Sequence, residues 1–264
     1  AGTVLITLEN RAPFPVGFSL IQLPEGASPA DLGPPPGAAT DASPAAGEEA
    51  APEEGLPPIL YDAVWAGGVF AFPGGPPAQA VIALTPGEWL LAGPPDVPIP
   101  PQPFTVGGEA GDAPATPEGA VSVELDNFQI ILPDQIQAGP QIWGVTNVGD
   151  QPHEIFISTT PERLTIEDAE TLLQLPEEAT PPPGLPSLEE FMPVSFVAPI
   201  SDEQTTLVEM NLEPGHYVAV CFIPEKESGK PHAMEGMVTV FSVGAEGEDV
   251  EPPASPVPEE HGSH

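Results

Sequence analysis

The sequence predicts an all-β protein made of two similar antiparallel β domains in series. Three observations carry that expectation. Proline and glycine, 41 and 27 of the 264 residues, recur too often for long helices, because proline removes a backbone donor and clashes with the preceding turn. Short apolar or alternating runs bounded by these residues recur along the chain, and that spacing suits a sandwich or barrel. The two halves also resemble each other. Asn10-Arg-Ala-Pro-Phe-Pro-Val16 aligns with Asn147-Val-Gly-Asp-Gln-Pro-His153, Leu84-Thr-Pro-Gly-Glu-Trp89 with Leu212-Glu-Pro-Gly-His-Tyr217, and Phe104-Thr-Val106 with Val238-Thr-Val240.

In chain order, Val4 to Leu8 and Gly17 to Leu23 read as the opening strands of the first half. Ala27 to Pro58 is rich in Pro, Ala, Gly and Glu with few large apolar residues, so it reads as a loop. Ala80 to Leu84 and Trp89 to Ala92 complete that half, and Gly107 to Gly119 repeats the loop composition at the natural boundary. Val121 to Leu132 opens the second half, followed by Ile142 to Thr146 and Glu154 to Ile157. Thr165 to Leu175 is the best helix candidate, with Thr165 as cap and Glu167 and Asp168 in the first turn. Leu207 to Leu212, Tyr217 to Phe222 and Met237 to Val243 are the remaining strands, and Ala245 to His264 is an acidic, Pro-rich tail expected to be disordered. The expected division is therefore a first domain over 1–107 with a loop at about 27–58, a linker over 108–119, a second domain over 120–244 and a tail over 245–264. The first half has no counterpart of Val121 to Leu132, so one of its sheet edges is expected to be open. The linker, the tail or a strand from another chain is expected to cover that edge.

Composition excludes several function classes. Four Lys plus Arg against 40 Asp plus Glu give a formal charge of −36, which leaves almost no cation to neutralise nucleic-acid phosphate or to bind an anionic membrane surface. The acidic surface suits steering of a cationic partner by long-range field. The single Cys221 excludes an internal disulfide framework. No apolar run approaches a bilayer span and no basic-plus-apolar leader precedes Ala1.

Four residues of the second half carry the chemistry: His153, Cys221, His232 and Met237. Two imidazoles, a thiolate and a weak thioether form the ligand set of a blue-copper electron-transfer centre, a trigonal site with a long axial bond. In the first half Val16 stands where His153 stands and Gly93 where Cys221 stands, so that half has no such set. His216 aligns with Glu88 and reads as a surface residue, while His261 and His264 lie in the tail.

Asn147-Val-Gly-Asp-Gln-Pro-His153-Glu-Ile resembles the first-histidine motif of the cupredoxins, the plastocyanin and azurin family. Pro214-Gly-His-Tyr-Val-Ala-Val-Cys221, with His232-Ala-Met-Glu-Gly-Met237-Val, resembles the family's ligand loop. The resemblance covers Val121 to Val243 well and Val4 to Val106 more weakly. It implies two tandem cupredoxin-like Greek-key β-sandwiches and a single type 1 copper in the second, bound by His153, Cys221, His232 and Met237. It further implies that Met237, five residues after His232, is the axial ligand rather than Met234. His232 would be the most exposed ligand and the electron port, edged by Pro231, Ala233 and Met234. Two departures stand out. Phe222 to Pro231 makes the Cys-to-His loop longer than in small cupredoxins, a length shared with copper nitrite reductases, and Lys226 and Lys230 within it would make the site's mouth less negative. Glu154 replaces an Asn that in many members ties the ligand loops together, so that tie is expected to be lost.

The resemblance implies electron transfer outside the cytoplasm, with a redox partner such as a basic cytochrome, and no enzymatic activity. The competing copper-oxidase reading fails on histidine arithmetic, because the chain has five His and no His-x-His pair. A triad hydrolase lacks a Gly-x-Ser-x-Gly elbow. The remaining alternative is a structural or assembly protein of the cell surface, with cupredoxin-like scaffold domains joined through the open edge of the first.

Overall fold

The computed structural model describes residues 1–32, 56–93, 100–109, 111–176 and 179–244. The expected tail and most of the loop at 27–58 lie outside the described residues. The protein is all-β. The first half carries β1 (Gly2–Leu8), β2 (Val16–Gly17), β3 (Ser19–Gln22), the short helix α1 (Pro58–Tyr61), β4 (Val64–Trp65), β5 (Phe70–Ala71), β6 (Ala78–Leu84), β7 (Gly87–Ala92) and β8 (Gln102–Val106). The second carries β9 (Val121–Asp126), β10 (Gln129–Ile131), β11 (Ile136–Gln137), β12 (Gly139–Asn147), β13 (His153–Thr160), the helix α2 (Ile166–Leu173), β14 (Met192–Ile200), β15 (Thr205–Leu212), β16 (Gly215–Val220) and β17 (Val238–Gly244). No helix among the described residues is long and apolar enough to cross a membrane.

In the second half, the sheet holding β15-β12-β9-β10 faces the sheet β11-β17-β16-β13-β14. Inward positions alternate with exposed ones along β9, where Val121, Val123 and Leu125 are buried between Ser122 and Glu124. These residues pack with Trp143, Ile155 and Ile157 in the core. The outer face of β16 and β17 is covered by α2, whose Ala169 and Leu172 meet Val218, Val220, Val238 and Val240. Thr165 starts that helix as expected: its hydroxyl accepts the Asp168 N–H at 3.1 Å, and the Asp168 carboxylate accepts the Thr165 N–H at 2.9 Å.

Two local motifs recur in both halves. Asn147 Nδ2 donates to the Gln151 and Ile200 carbonyls at 2.6 and 2.8 Å, while its Oδ1 accepts the Gly149 N–H at 2.9 Å. Asn10 does the same with Phe14, Ala71 and Ala12, at 2.8, 2.8 and 2.7 Å. Tyr217 donates its hydroxyl to the Glu213 carbonyl, and Trp89 donates its indole N–H to the Thr85 carbonyl, each four residues back.

The halves also merge. β6 pairs with β15, Val81 opposite Leu207, so one six-stranded sheet runs β1-β6-β15-β12-β9-β10. On the opposite layer Ala66 bridges Ile200 and Val69 bridges Val197 of β14. Phe18, Leu20, Ile82 and Trp89 belong to the same buried cluster as Trp143, Ile155 and Tyr217. The edges of β15 and β14 are thus met from within the chain, by β6 and by Ala66 and Val69. The outermost edge is β1. The linker follows its first residues, with the Thr3 hydroxyl donating to the Asp112 carbonyl at 3.3 Å, whereas Val4 and Leu5 stay 38% and 63% exposed.

Several elements differ from the sequence reading. Val121 to Leu132 is a hairpin of β9 and β10, turned at Asn127 and Phe128, and Phe128 has φ 60°, a left-handed conformation uncommon outside glycine. β14, which contains Pro193 and Pro199, was not expected as a strand. It tolerates proline because it lies at the edge of its sheet. β16 ends at Val220 rather than Phe222, which places Cys221 at the first position of the loop.

Candidate metal centre

Each candidate donor lies at or beside the end of a regular element. His153 opens β13 immediately after the Asn147 turn, Cys221 follows the last residue of β16, and His232 begins the 3-10 turn His232–Glu235. Met237 directly precedes β17. Glycine is required beside the first histidine, because a Cβ at Gly149 would lie 3.0 Å from His153 Nε2 and 2.6 Å from Asn127 Oδ1.

Folding brings three of the four predicted residues into one buried cluster, with the ligand atoms of His153, Cys221 and His232 within 4.8 Å of one another. The two Nδ1 atoms face each other at 3.1 Å, and Cys221 Sγ lies 3.4 Å from His232 Nδ1. His153 Nε2 is buried with no hydrogen-bond partner among the described residues. Met237 is fully buried in the same core cluster as Cys221, and its backbone closes the site: the Cys221 N–H donates to the Met237 carbonyl at 3.2 Å and the Met237 N–H to the His232 carbonyl at 2.9 Å. Met234 is 43% exposed.

The long loop between Cys221 and His232 is a closed excursion. The His232 N–H donates to the Ile223 carbonyl and the Ala233 N–H to the Cys221 carbonyl, both at 2.8 Å, and Pro224 bridges Pro231. Its two ends therefore meet beside Cys221 and His232. Glu154 supplies the tie expected to be missing: its carboxylate accepts the Phe222 N–H at 3.3 Å, joining the strand of the first histidine to the residue after the cysteine.

The electrostatics suit a soft cation. Burial, with a smaller contribution from His232, lowers His153 to about 3, and burial lowers His232 to about 4. Both rings are therefore neutral at physiological pH, with lone pairs available. Burial, and then the Glu154 carboxylate, push the Cys221 thiol up, so the thiolate needs a neighbouring cation to form. Burial also raises Glu154 to about 7.

Two features of the site escaped the sequence reading. His232 is buried, not the exposed port expected of it. The Phe128 ring meets it edge to face at 5.3 Å, and its Nε2 lies 3.4 Å from Gln151 Oε1. The break that lets Phe128 reach the site was hidden inside an apolar run. The two loop lysines both pair with carboxylates, Lys226 with Asp62 at 2.9 Å and Lys230 with Glu235 at 3.5 Å. His216 is half-buried against Ser242, away from the cluster, and His261 and His264 lie outside the described residues.

Solved structures similar to this chain include two auracyanins and a multi-copper oxidase. Auracyanin B is 16% identical with a TM-score of 0.30, over 50% of this chain and 92% of its own. The dithionite-reduced auracyanin from the photosynthetic bacterium Roseiflexus castenholzii is 20% identical with a TM-score of 0.28, over 46% of this chain and 94% of its own. The multi-copper oxidase from Pediococcus acidilactici is 12% identical with a TM-score of 0.26, over 95% of this chain and 50% of its own. No protein-family model and no curated protein matches the sequence.

Proposed function

We propose that the chain is a cupredoxin that transfers single electrons through one type 1 copper in its second half. One observation carries this reading: His153 Nδ1, Cys221 Sγ and His232 Nδ1 converge within 4.8 Å in a buried pocket. Two imidazoles with one thiolate are the donor set of blue-copper sites, and copper bound there would supply a one-electron couple. Burial and the five-residue spacing after His232 support Met237 as a fourth residue that would hold the copper, through a weak thioether. The neutral imidazoles keep their lone pairs free. The Glu154 tie and the closed loop hold the strand of His153 and the neck of the Cys221-to-His232 loop in one frame, which would limit rearrangement if bound copper changed its oxidation state. Water is kept out by Phe128, Gln151 and the core beneath Met237.

A carrier is favoured over an oxidase, since the proposed copper takes two of five histidines and no His-x-His pair remains for a second cluster. The charge of −36 favours a cationic redox partner such as a basic cytochrome, and an extracytoplasmic location fits this family. The exposed Val4 and Leu5 on β1 favour a second role, assembly of copies through that edge. Loading the metal-free protein with Cu(II) tests the first reading: one copper per chain and an intense visible thiolate-to-copper band are expected, lost in Cys221→Ser while the far-ultraviolet dichroism stays. A colourless copper-loaded protein overturns it.

A further inference from the structure

The first half has no metal ligands, and the ligand loop of the second is unusually long; one contact joins these two facts. The Tyr61 hydroxyl, at the end of α1, donates to the Pro224 carbonyl at 2.9 Å. Asp62 next to it pairs with Lys226 at 2.9 Å, and the same ammonium lies 5.9 Å from the Tyr61 ring centroid. Pro224 sits at the neck of the excursion, opposite Pro231 and adjacent to Ile223, whose carbonyl takes the His232 N–H. A hold on Pro224 therefore reaches the His232 backbone through one residue.

The base of this contact is rigid. Trp65 donates its indole N–H to the Leu60 carbonyl at 2.8 Å, and the Ser201 hydroxyl donates to the Ala63 carbonyl at 3.2 Å. The Trp65 N–H donates to Ser201 Oγ and the Ser201 N–H to the Trp65 carbonyl, both at 2.9 Å. The α1–β4 segment is thus fixed to the end of β14, not to the loop alone. At the far end, the loop is stiffened from within, because Glu225 accepts the N–H groups of Glu227 and Ser228 and its own N–H donates to the Lys230 carbonyl.

We propose that the first half acts as a clamp, in which Tyr61 and Asp62 are positioning residues that grip the Phe222–Pro231 excursion and so fix the Cys221 and His232 donors at its two ends. The grip itself concerns the chain alone; its consequence for copper rests on the function proposed above. The first half then has a function without a metal of its own.

Hydrogen exchange of the full-length metal-free protein tests the grip. In the Tyr61→Phe/Asp62→Asn double variant, the amides of Glu225, Gly229 and His232 should exchange about tenfold faster, the factor that about 1.4 kcal/mol represents, while the amide of Val81 in the shared sheet is unchanged. Lys226→Met, which acts from the loop side, should speed the same amides. Thr105→Ala, which removes a first-half hydrogen bond to Glu88 far from the loop, should change none of them. Unaltered loop exchange in both the double variant and Lys226→Met overturns the proposal. In the copper-loaded protein, the double variant should shift the reduction potential and the copper hyperfine splitting, whereas Thr105→Ala leaves both unchanged. A wild type that binds copper without colour would sink the copper reading, but faster loop exchange in the variants would still establish the clamp.

Discussion

Asn147 shows how one side chain aims a donor. It is fully buried and its three hydrogen bonds shape the turn that precedes His153, so Asn147→Ala removes all three, the Gly149 N–H keeping only the Leu125 carbonyl at 3.2 Å. It should cost about 3 kcal/mol, at about 1 kcal/mol per lost bond, measured by urea unfolding of the metal-free protein. Asn10→Ala removes the same bonds from a half-buried site and should cost less; equal losses would show that burial is not what separates them. The histidines set a pH dependence whose sign follows from their shifts. Folded His153 and His232 titrate at about 3 and 4 against an ordinary 6.5. Between pH 6.5 and 4 the unfolded chain therefore binds more protons. Stability falls as pH falls, by about 1.4 kcal/mol per pH unit for each imidazole. Glu154 acts in the opposite sense, because its rise from 4.5 to about 7 costs stability as pH increases through that range. Comparing wild type with His232→Gln isolates the histidines, and the acid slope should drop by one imidazole's share; identical slopes would contradict the shift. The residues His153, Cys221 and His232 that cluster were legible from spacing and residue type. Phe128 and Gln151 were not, because their role depends on which turn lies above the His232 ring.

At the scale of elements, strands with alternating burial were readable, and so was α2, whose cap and acidic first turn are local. β14 was not, since Pro193 and Pro199 read as breaks until its position at a sheet edge is known. The Cys221 to His232 loop likewise looked disruptive from its length alone. Two backbone bonds close its neck, which no residue count reveals. β1 carries the next prediction. Its outer edge lacks charge, proline or bulge from Gly2 to Leu8, which are the usual guards of an open strand. Pairing with a second copy should give a concentration-dependent dimer by sedimentation, abolished in Leu5→Lys. A wild type that stays monomeric at every concentration would argue against strand pairing.

The whole molecule unfolds as its core dictates. Ile82 of the first half is fully buried in the cluster that holds Trp143 and Ile155 of the second, so the halves should melt in one calorimetric transition. Ile82→Ala should lower that transition for both, at a cost of about 2–5 kcal/mol, without splitting it; two separable transitions would refute a common core. The sequence by itself determined the all-β class, the paired turn motifs and the residues His153, Cys221 and His232 that the fold brings together, because each is written in local period, turn chemistry or residue type. Only the tertiary structure decided that two sheets join across the repeat, that His232 is covered and that Tyr61 and Asp62 of the first half bond Pro224 and Lys226 of the long loop. Alternation along a strand specifies which face is buried, but hydrogen bonding along its edges is open to any partner, and only the assembled chain selects one.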